Sequence, residues 1–546
     1  MTAATGPRAL ARRRIARRTF LAAAAASSAA AALAACTRDR SPASQDRPKA
    51  GGTLRIATSL PLAQGLDPQI ETGTGLAIFP RIYGYLHHVD PDGDKIRLDH
   101  AAAIEQPDPL TYIMRLRDGL RFHAVPPVDG RPVTSDDVAR SIERYRDNPL
   151  VTAKAWHTSV FDRVDTPDAR TAIVRTRAPF VYSLYELGAV GAGAILPREV
   201  VVSNQDLSFS GVGSGPFSLD AASPERVRIV RNGAYFAAPL PYLDAMEWRV
   251  VADDGSKIVA LANRDADTVP IRGRAEATRA AALAPNIKID TAPALAYLSI
   301  GLRVDRPPFV DERVREALDL GLDRGQMIRD IAPGDGELLG PVNPHLAGGF
   351  WSLAATEVAA PQHARELIES RRANARSLLA AAGAEGTRAR MQVAKSAPLL
   401  DVANVVRDQL SRIGFTVEIE AIDDLAWFFA LQHGSFEMTL ISQPPFEWPD
   451  GPTRMYHSRG PYGAGNAFGF ADAGIDALLE RSWTEIDRDR RRATLLDAQR
   501  QMLRARPLLH LFTNTAYAAA WLYVRDRHPE LPGSLAQYNY AQWLDR

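Results

Sequence analysis

About 500 residues follow Gly51 without a single cysteine. A chain of that length cannot share one hydrophobic core, because single cores tend to split beyond roughly 250–300 residues. With no disulfide available, each core must hold by packing alone. Two or more domains are therefore expected from this stretch. The hydrophobic share of 46% and charged share of 24% are those of a globular chain, not a fibrous or disordered one.

The one cysteine, Cys36, closes an apolar run from Phe20 to Ala35. Ahead of it stand six arginines (Arg8, Arg12, Arg13, Arg14, Arg17, Arg18) and no acid. A basic region, a short alanine-rich run and a terminal small-residue site make a secretory signal peptide over residues 1–35, too short and too weakly apolar for a permanent span. Arg17-Arg18-Thr19-Phe20-Leu21 resembles the twin-arginine export signal, and Leu33-Ala34-Ala35-Cys36 resembles the bacterial lipobox. That resemblance implies a diacylglycerol on the Cys36 thiol and a body anchored on the outer face of the cell membrane. Residues 36–50 are polar and lack apolar periodicity, as a flexible tether would.

Because those six arginines lie in the leader, the remainder is net acidic. That argues against nucleic-acid binding driven by phosphate neutralisation. Strand and helix patterns alternate from Gly51 on, which predicts a mixed α/β fold. Thr53–Thr58 alternates as a strand. Thr134 and Asp137 are spaced to cap a helix whose inner face carries Val138, Ile142 and Tyr145. Asp311 opens another helix. Asp401 to Ile413 is amphipathic and stops at Gly414, and Phe415 to Ile422 alternates again. Helices are expected around 475–486 and 491–504, then a strand at 508–513. Gly211-Val212-Gly213-Ser214-Gly215 reads as a tight turn with positive φ, and Trp427-Phe428-Phe429 as core.

No catalytic signature is present. There is no G-x-S-x-G, S-x-x-K or H-E-x-x-H, and one cysteine cannot build a zinc site. No enzyme activity, cofactor or metal is expected.

Several blocks occur in a telling order. They are Gly51-Gly52-Thr53-Leu54-Arg55-Ile56, Leu66-Asp67-Pro68, and Thr111 to His123 running into Asp129-Gly130-Arg131-Pro132-Val133-Thr134-Ser135-Asp136-Asp137-Val138. After them come Gly213-Ser214-Gly215-Pro216-Phe217, Pro307-Pro308-Phe309-Val310-Asp311-Glu312-Arg313-Val314, and Gln409-Leu410 to Gly414. Together they resemble the extracytoplasmic solute-binding proteins of family 5, the peptide and nickel binders of ABC importers. The resemblance implies a bilobal periplasmic-binding-protein-like fold with mixed sheets, an extra small domain and a ligand cleft between lobes. It assigns 51–84, 190–302 and 505–546 to lobe I, 85–189 to the small domain and 303–504 to lobe II. It also implies a monomer that hands a small solute or peptide to ABC permease subunits.

In peptide-binding members, an aspartate of the second lobe pairs with the peptide's α-amino group. If Pro452-Thr453 sets the register, that position falls near Trp448, which carries no charge. The surrounding loop still offers aromatic faces in Phe446 and Trp448 and acceptors in Glu447 and Asp450, suited to a cationic or amphipathic solute. Glu71 and Thr72, in the loop after Leu66-Asp67-Pro68, are the expected contacts from lobe I. The competing readings are a surface receptor on the same scaffold that does not transport, and a surface enzyme.

Overall fold

A computed structural model describes residues 47–59, 66–70, 75–89, 95–151, 155–202, 211–294, 297–359, 367–443, 448–460, 465–526 and 540–546. Cys36, the signal peptide, and the expected contacts Glu71, Thr72, Phe446 and Glu447 lie outside the described residues. Met1–Lys49 and Ala50–Arg546 form separate units, and the sheets and helices belong to the second.

Lobe I is built on a seven-stranded sheet in the order Phe217–Ser223, Arg226–Arg231, Ala245–Val250, Thr53–Thr58, Thr268–Ile271, Thr515–Trp521, Ile287–Pro293. The strand that opens the body sits in the middle. It pairs in parallel with Ala245–Val250, Thr53 opposite Ala245. Its Leu54 and Ile56 are buried against Trp248 and Phe217 on one face. Arg55 faces the other way and donates to the buried Asp267 at 2.9 Å.

Lobe II is built on a five-stranded sheet in the order Thr416–Ile422, Arg388–Ala394, Met438–Gln443, Tyr297–Leu302, Leu508–His510. Tyr297–Leu302 lies inside a segment that the resemblance assigned to lobe I, yet it pairs in this sheet. The chain therefore passes between the sheets at 293–297 and returns at 513–515. These passages are tied together. Thr513 Oγ1 donates to Ala294 O at 2.7 Å, and the Ala294 N–H donates to Asn514 O at 2.8 Å.

A third, antiparallel sheet orders Ala101–Asp108, Thr111–Leu116, Thr171–Thr176, Phe161–Asp168 and carries the helix Ser135–Asp147. That helix begins with the expected cap: the Thr134 main-chain N–H and hydroxyl both donate to Asp137 Oδ2. Burial works against the Asp137 charge. Arg131, donating at 2.6 and 2.9 Å, and the Arg198 N–H nonetheless hold its pKa below the usual range. Arg131 also bonds Glu199 and lies 4.8 Å over the Phe122 ring. The block around Arg131 and Asp137 is thus held by a part-buried ion-pair cluster that joins the loop at Arg131, the helix Ser135–Asp147 and the short helix Arg198–Val202.

Local signals place most other elements. The helix Ala397–Ser411 starts one turn earlier than its apolar stripe, because Pro398 fits the first turn where no donor is needed. Gly414 follows it at φ 84°. Phe429 departs from the core reading and is half exposed, while Trp427 donates to Thr439 Oγ1 at 3.0 Å.

The glycine cluster is also different in kind. Only Gly211 has positive φ. Gly213 and Gly215 are glycine because the chain passes against the main chain of Arg81 and Ile82, with Gly215 N–H donating to Ile82 O at 2.8 Å. A methyl at Gly213 would meet the Ile82 carbonyl, which is backbone and cannot swing aside. Gly213→Ala is expected to destabilise the protein by about 1–3 kcal/mol, read as a lower urea midpoint. An unchanged midpoint would mean the two segments separate easily.

Candidate functional site

Between the lobes, beside the two crossing segments, lies a cavity of about 570 Å³. Its lobe I wall is formed by Thr58 and Ser59 at the end of the opening strand, by Lys257, and by Arg272 and Arg274 at the start of the helix Gly273–Leu283. Its lobe II wall includes Ile331 to Pro333, Asp335, and Pro398 and Asp401 of the helix Ala397–Ser411. Apolar side chains with a few polar groups, lining a concave site between two bodies, are what a small-solute site requires.

The charges on these walls are of two kinds. Asp335 and Arg274 satisfy each other across the lobes. The Arg274 main-chain N–H donates to Asp335 Oδ2 at 2.9 Å, and its guanidinium reaches Oδ1 at 3.0 and 3.1 Å. Tyr517 also donates to Asp335. Burial first, and then this carboxylate, push the Tyr517 pKa up to about 12. By contrast, one acid, Asp254, serves two cations. Lys257 Nζ stands 2.7 Å away and Arg272 Nε 3.4 Å away. Lys257 is only 5% exposed. Burial disfavours the Asp254 charge, but Lys257 and Arg272 overcome that and hold its pKa low. Across the cavity, Asp401 is exposed.

The loop that the sequence favoured lies at another junction, where the small domain meets lobe II. Trp448 is half-buried, its ring centroid 5.6 Å from Tyr185, and its buried Nε1 has no hydrogen-bond partner among the described residues. Asp450 is buried and opens the short helix Asp450–Thr453. It accepts from Arg454 and from Trp483 Nε1, so both of its oxygens are engaged. Arg454 also donates to Glu186 of the helix Ser183–Gly188 at 3.2 Å. A second cavity, of about 610 Å³, lies nearby, lined by Trp156, Phe180, His457, Arg459, Glu480 and Trp483. There Arg459 and Glu480 pair at 2.6 Å.

Sequence reasoning missed Lys257, Arg272, Arg274 and Asp335. Each looks like an ordinary surface charge in its own segment, and only the tertiary fold brings them to one cavity. Among the described residues there is no group of three or more His, Cys, Asp or Glu placed to hold a metal ion, and no helix is long and apolar enough to cross a membrane.

Known proteins share this architecture. Residues 95–466 match the family described as bacterial extracellular solute-binding proteins, family 5. The chain belongs to that family. Among family 5 relatives, the oligopeptide-binding protein AppA of Bacillus subtilis is 22% identical over 93% of both chains. The glutathione-binding protein GsiB of Escherichia coli K12 is 25% identical over 41% of this chain and 42% of its own length. Two solved structures share the fold at TM-score 0.78. They are DppA of Helicobacter pylori with the peptide STSA (19% identical, covering 91% of this chain and 99% of that one) and AgaA of A. tumefaciens R10 with agropinic acid (21%, 91% and 99%). The fold class implied by the sequence is therefore the one observed.

Proposed function

We propose that this family 5 protein is an extracytoplasmic receptor, lipid-anchored through Cys36, that captures a small peptide-like or other polar solute and delivers it to the permease of an ABC importer. It performs no catalysis. The observation that carries this reading is the open cavity of about 570 Å³ lined by residues of both lobes beside the two chain crossings. Lobe I would comprise about 51–84, 190–294 and 514–546, with 85–189 as the small domain and the rest as lobe II. Glu71, Thr72, Phe446 and Glu447 would add solute contacts, while Trp448 and Asp450 stand at the junction with the small domain and not in the wall of this cavity. Closure of one lobe on the other is the event an importer can sense.

The test is native mass spectrometry of the full chain, purified gently in detergent and compared with the same sample after denaturation. A released molecule of defined mass is expected, together with a lipid mass on Cys36. An empty protein that gains no mass from a broad solute screen would favour an envelope receptor without transport. A Cys36→Ser variant that still partitions with membranes would overturn the anchor.

A further inference from the structure

We infer that the run Phe180–Glu186 of the small domain is a clasp on lobe II, which must part each time solute enters or leaves. This rests on the solute-binding reading above and adds a second closing contact, away from the chain crossings.

Chain connectivity assigns the small domain to lobe I. The two lobes are joined covalently at 293–297 and 513–515. The small domain leaves lobe I and returns to it through Gly84–Tyr85 and Ala194–Ile195, which pair with each other. No crossing ties it to lobe II. Its bonds to lobe I are buried and well matched. The His123 main-chain N–H donates to Gly213 O at 2.8 Å, His100 Nε2 lies 3.0 Å from Ser214 Oγ, and Gln69 Nε2 donates to Ser141 O at 2.9 Å. Arg144 pairs with Asp67 at 2.6 Å, and one apolar cluster runs from Met114 and Phe161 to Val212 of lobe I. The small domain therefore travels with lobe I.

Its contact with lobe II is of another kind. It runs through one main-chain bond, from the Val181 N–H to Trp483 O at 2.8 Å, and through the Arg454–Glu186 pair at 3.2 Å. Rings complete it: Phe180 against Trp483, Tyr185 against Trp448, and Tyr182 beneath the Arg491 guanidinium. The charges are unequal, since Asp450 and Glu186 share the one cation Arg454. Shutting the seam thus buries more negative than positive charge, which offsets part of what the contacts contribute. The packing is open as well. The cavity of about 610 Å³ lies along this seam, with Trp156 and Phe180 on one side and His457, Arg459 and Trp483 on the other. A domain interface that is neither large nor close-packed is one that separates.

Opening the cleft must lift Phe180–Glu186 off lobe II, because the run is carried by the lobe I side. Contacts present only in the shut state slow the exit of solute more than they change its entry.

The test uses the full-length protein in detergent and the double variant Val181→Cys, Thr484→Cys, which sets two thiols beside the Val181–Trp483 bond. They are the only thiols after Gly51, and a short bis-maleimide joins them. Native mass spectrometry follows the link, the uptake and loss of peptides from a mixed-dipeptide hydrolysate, and the loss of any co-purified solute. The unlinked variant should exchange at the wild-type rate, and linking should slow uptake and loss about a hundredfold or more. Tyr185→Ala should speed loss about fivefold with uptake nearly unchanged, a readout that a merely structural role would not move. Linked protein that exchanges as fast as unlinked would overturn the clasp while leaving solute binding standing. So would thiols that never link, or a Tyr185→Ala variant with a lower urea midpoint and unchanged loss. Wild-type protein that takes up no peptide and carries no solute would overturn the binding reading and the clasp with it.

Discussion

Replacing Arg454 with methionine is expected to destabilise the protein by about 3–5 kcal/mol, because removing one partner leaves uncompensated buried charge. Arg454 is 14% exposed and stands between the Asp450 carboxylate, fully buried, and that of Glu186, 10% exposed. Methionine keeps the stem but leaves two carboxylates facing one another. The Phe180 ring, 5.7 Å from the guanidinium, loses a cation as well. Glu186 belongs to the small domain and Asp450 to lobe II, so the loss should loosen that junction. Urea denaturation at pH 7.5 measures the effect. The triple variant Arg454→Met, Glu186→Gln, Asp450→Asn should recover most of it, since a neutral set has no charge to strand. If the triple variant is as unstable as the single one, packing and not charge is responsible.

The same cluster sets a pH dependence. Burial, and secondarily the nearby Asp450, push the Glu186 pKa up to about 6 from an ordinary 4.5, although Arg454 opposes the rise. A carboxyl whose folded-state pKa is raised favours folding fully below its unfolded value, and that contribution is lost as pH rises through about 6. Without Arg454 the Glu186 pKa must rise further. The stability gap between wild type and Arg454→Met should therefore be widest at pH 8 and shrink towards pH 5. A gap that stays constant over that range would mean the carboxylates do not sense each other.

Elements with a local cause were legible in the sequence. The cap of Thr134 and Asp137, the stripe of Val402, Val406 and Leu410, and the alternation of Val417 and Ile419 each arise within a few residues, so periodicity finds them. Sheet order did not have such a cause. Thr53–Thr58 pairs with Ala245–Val250 across almost 200 residues, and no local pattern marks the partner. The sheet that Tyr297–Leu302 joins had no local signal either, since the segment reads as a strand whichever sheet it pairs in. At the 446–450 loop, Asp450 looked like a free acceptor ahead of Gly451. The signal that binds it was nevertheless present: Arg454 stands at i+4, the spacing at which a helical turn brings acid and base together. The cavity charges carried no comparable signal. Asp254 and Lys257 look like one exposed helical pair until the fold brings Arg272 to the same carboxylate.

Asp335→Asn is expected to speed solute release about ten- to hundredfold, with little change in the association rate. Asp335 comes from lobe II, its side chain 5% exposed, and it accepts from the Arg274 main-chain N–H, from the Arg274 guanidinium and from the Tyr517 hydroxyl, all of lobe I. It therefore caps a helix of one lobe with a carboxylate from the other, where the positive end of the helix dipole favours that charge. Asparagine fits the space, but one of its two positions becomes a donor facing donors, and the charge is gone. Losing charge-assisted bonds of this kind costs about 1.5–3 kcal/mol, which gives the stated range. The pair lies in the wall of the cavity, so the closed state should bear that cost, and a closed state that opens sooner releases solute sooner. Stopped-flow release of a bound fluorescent dipeptide would measure it. Arg274→Gln should produce a similar acceleration, and the double variant little more, because both remove one interaction. Release unchanged with a lowered urea midpoint would instead assign Asp335 to holding the hinge in every state, open or closed.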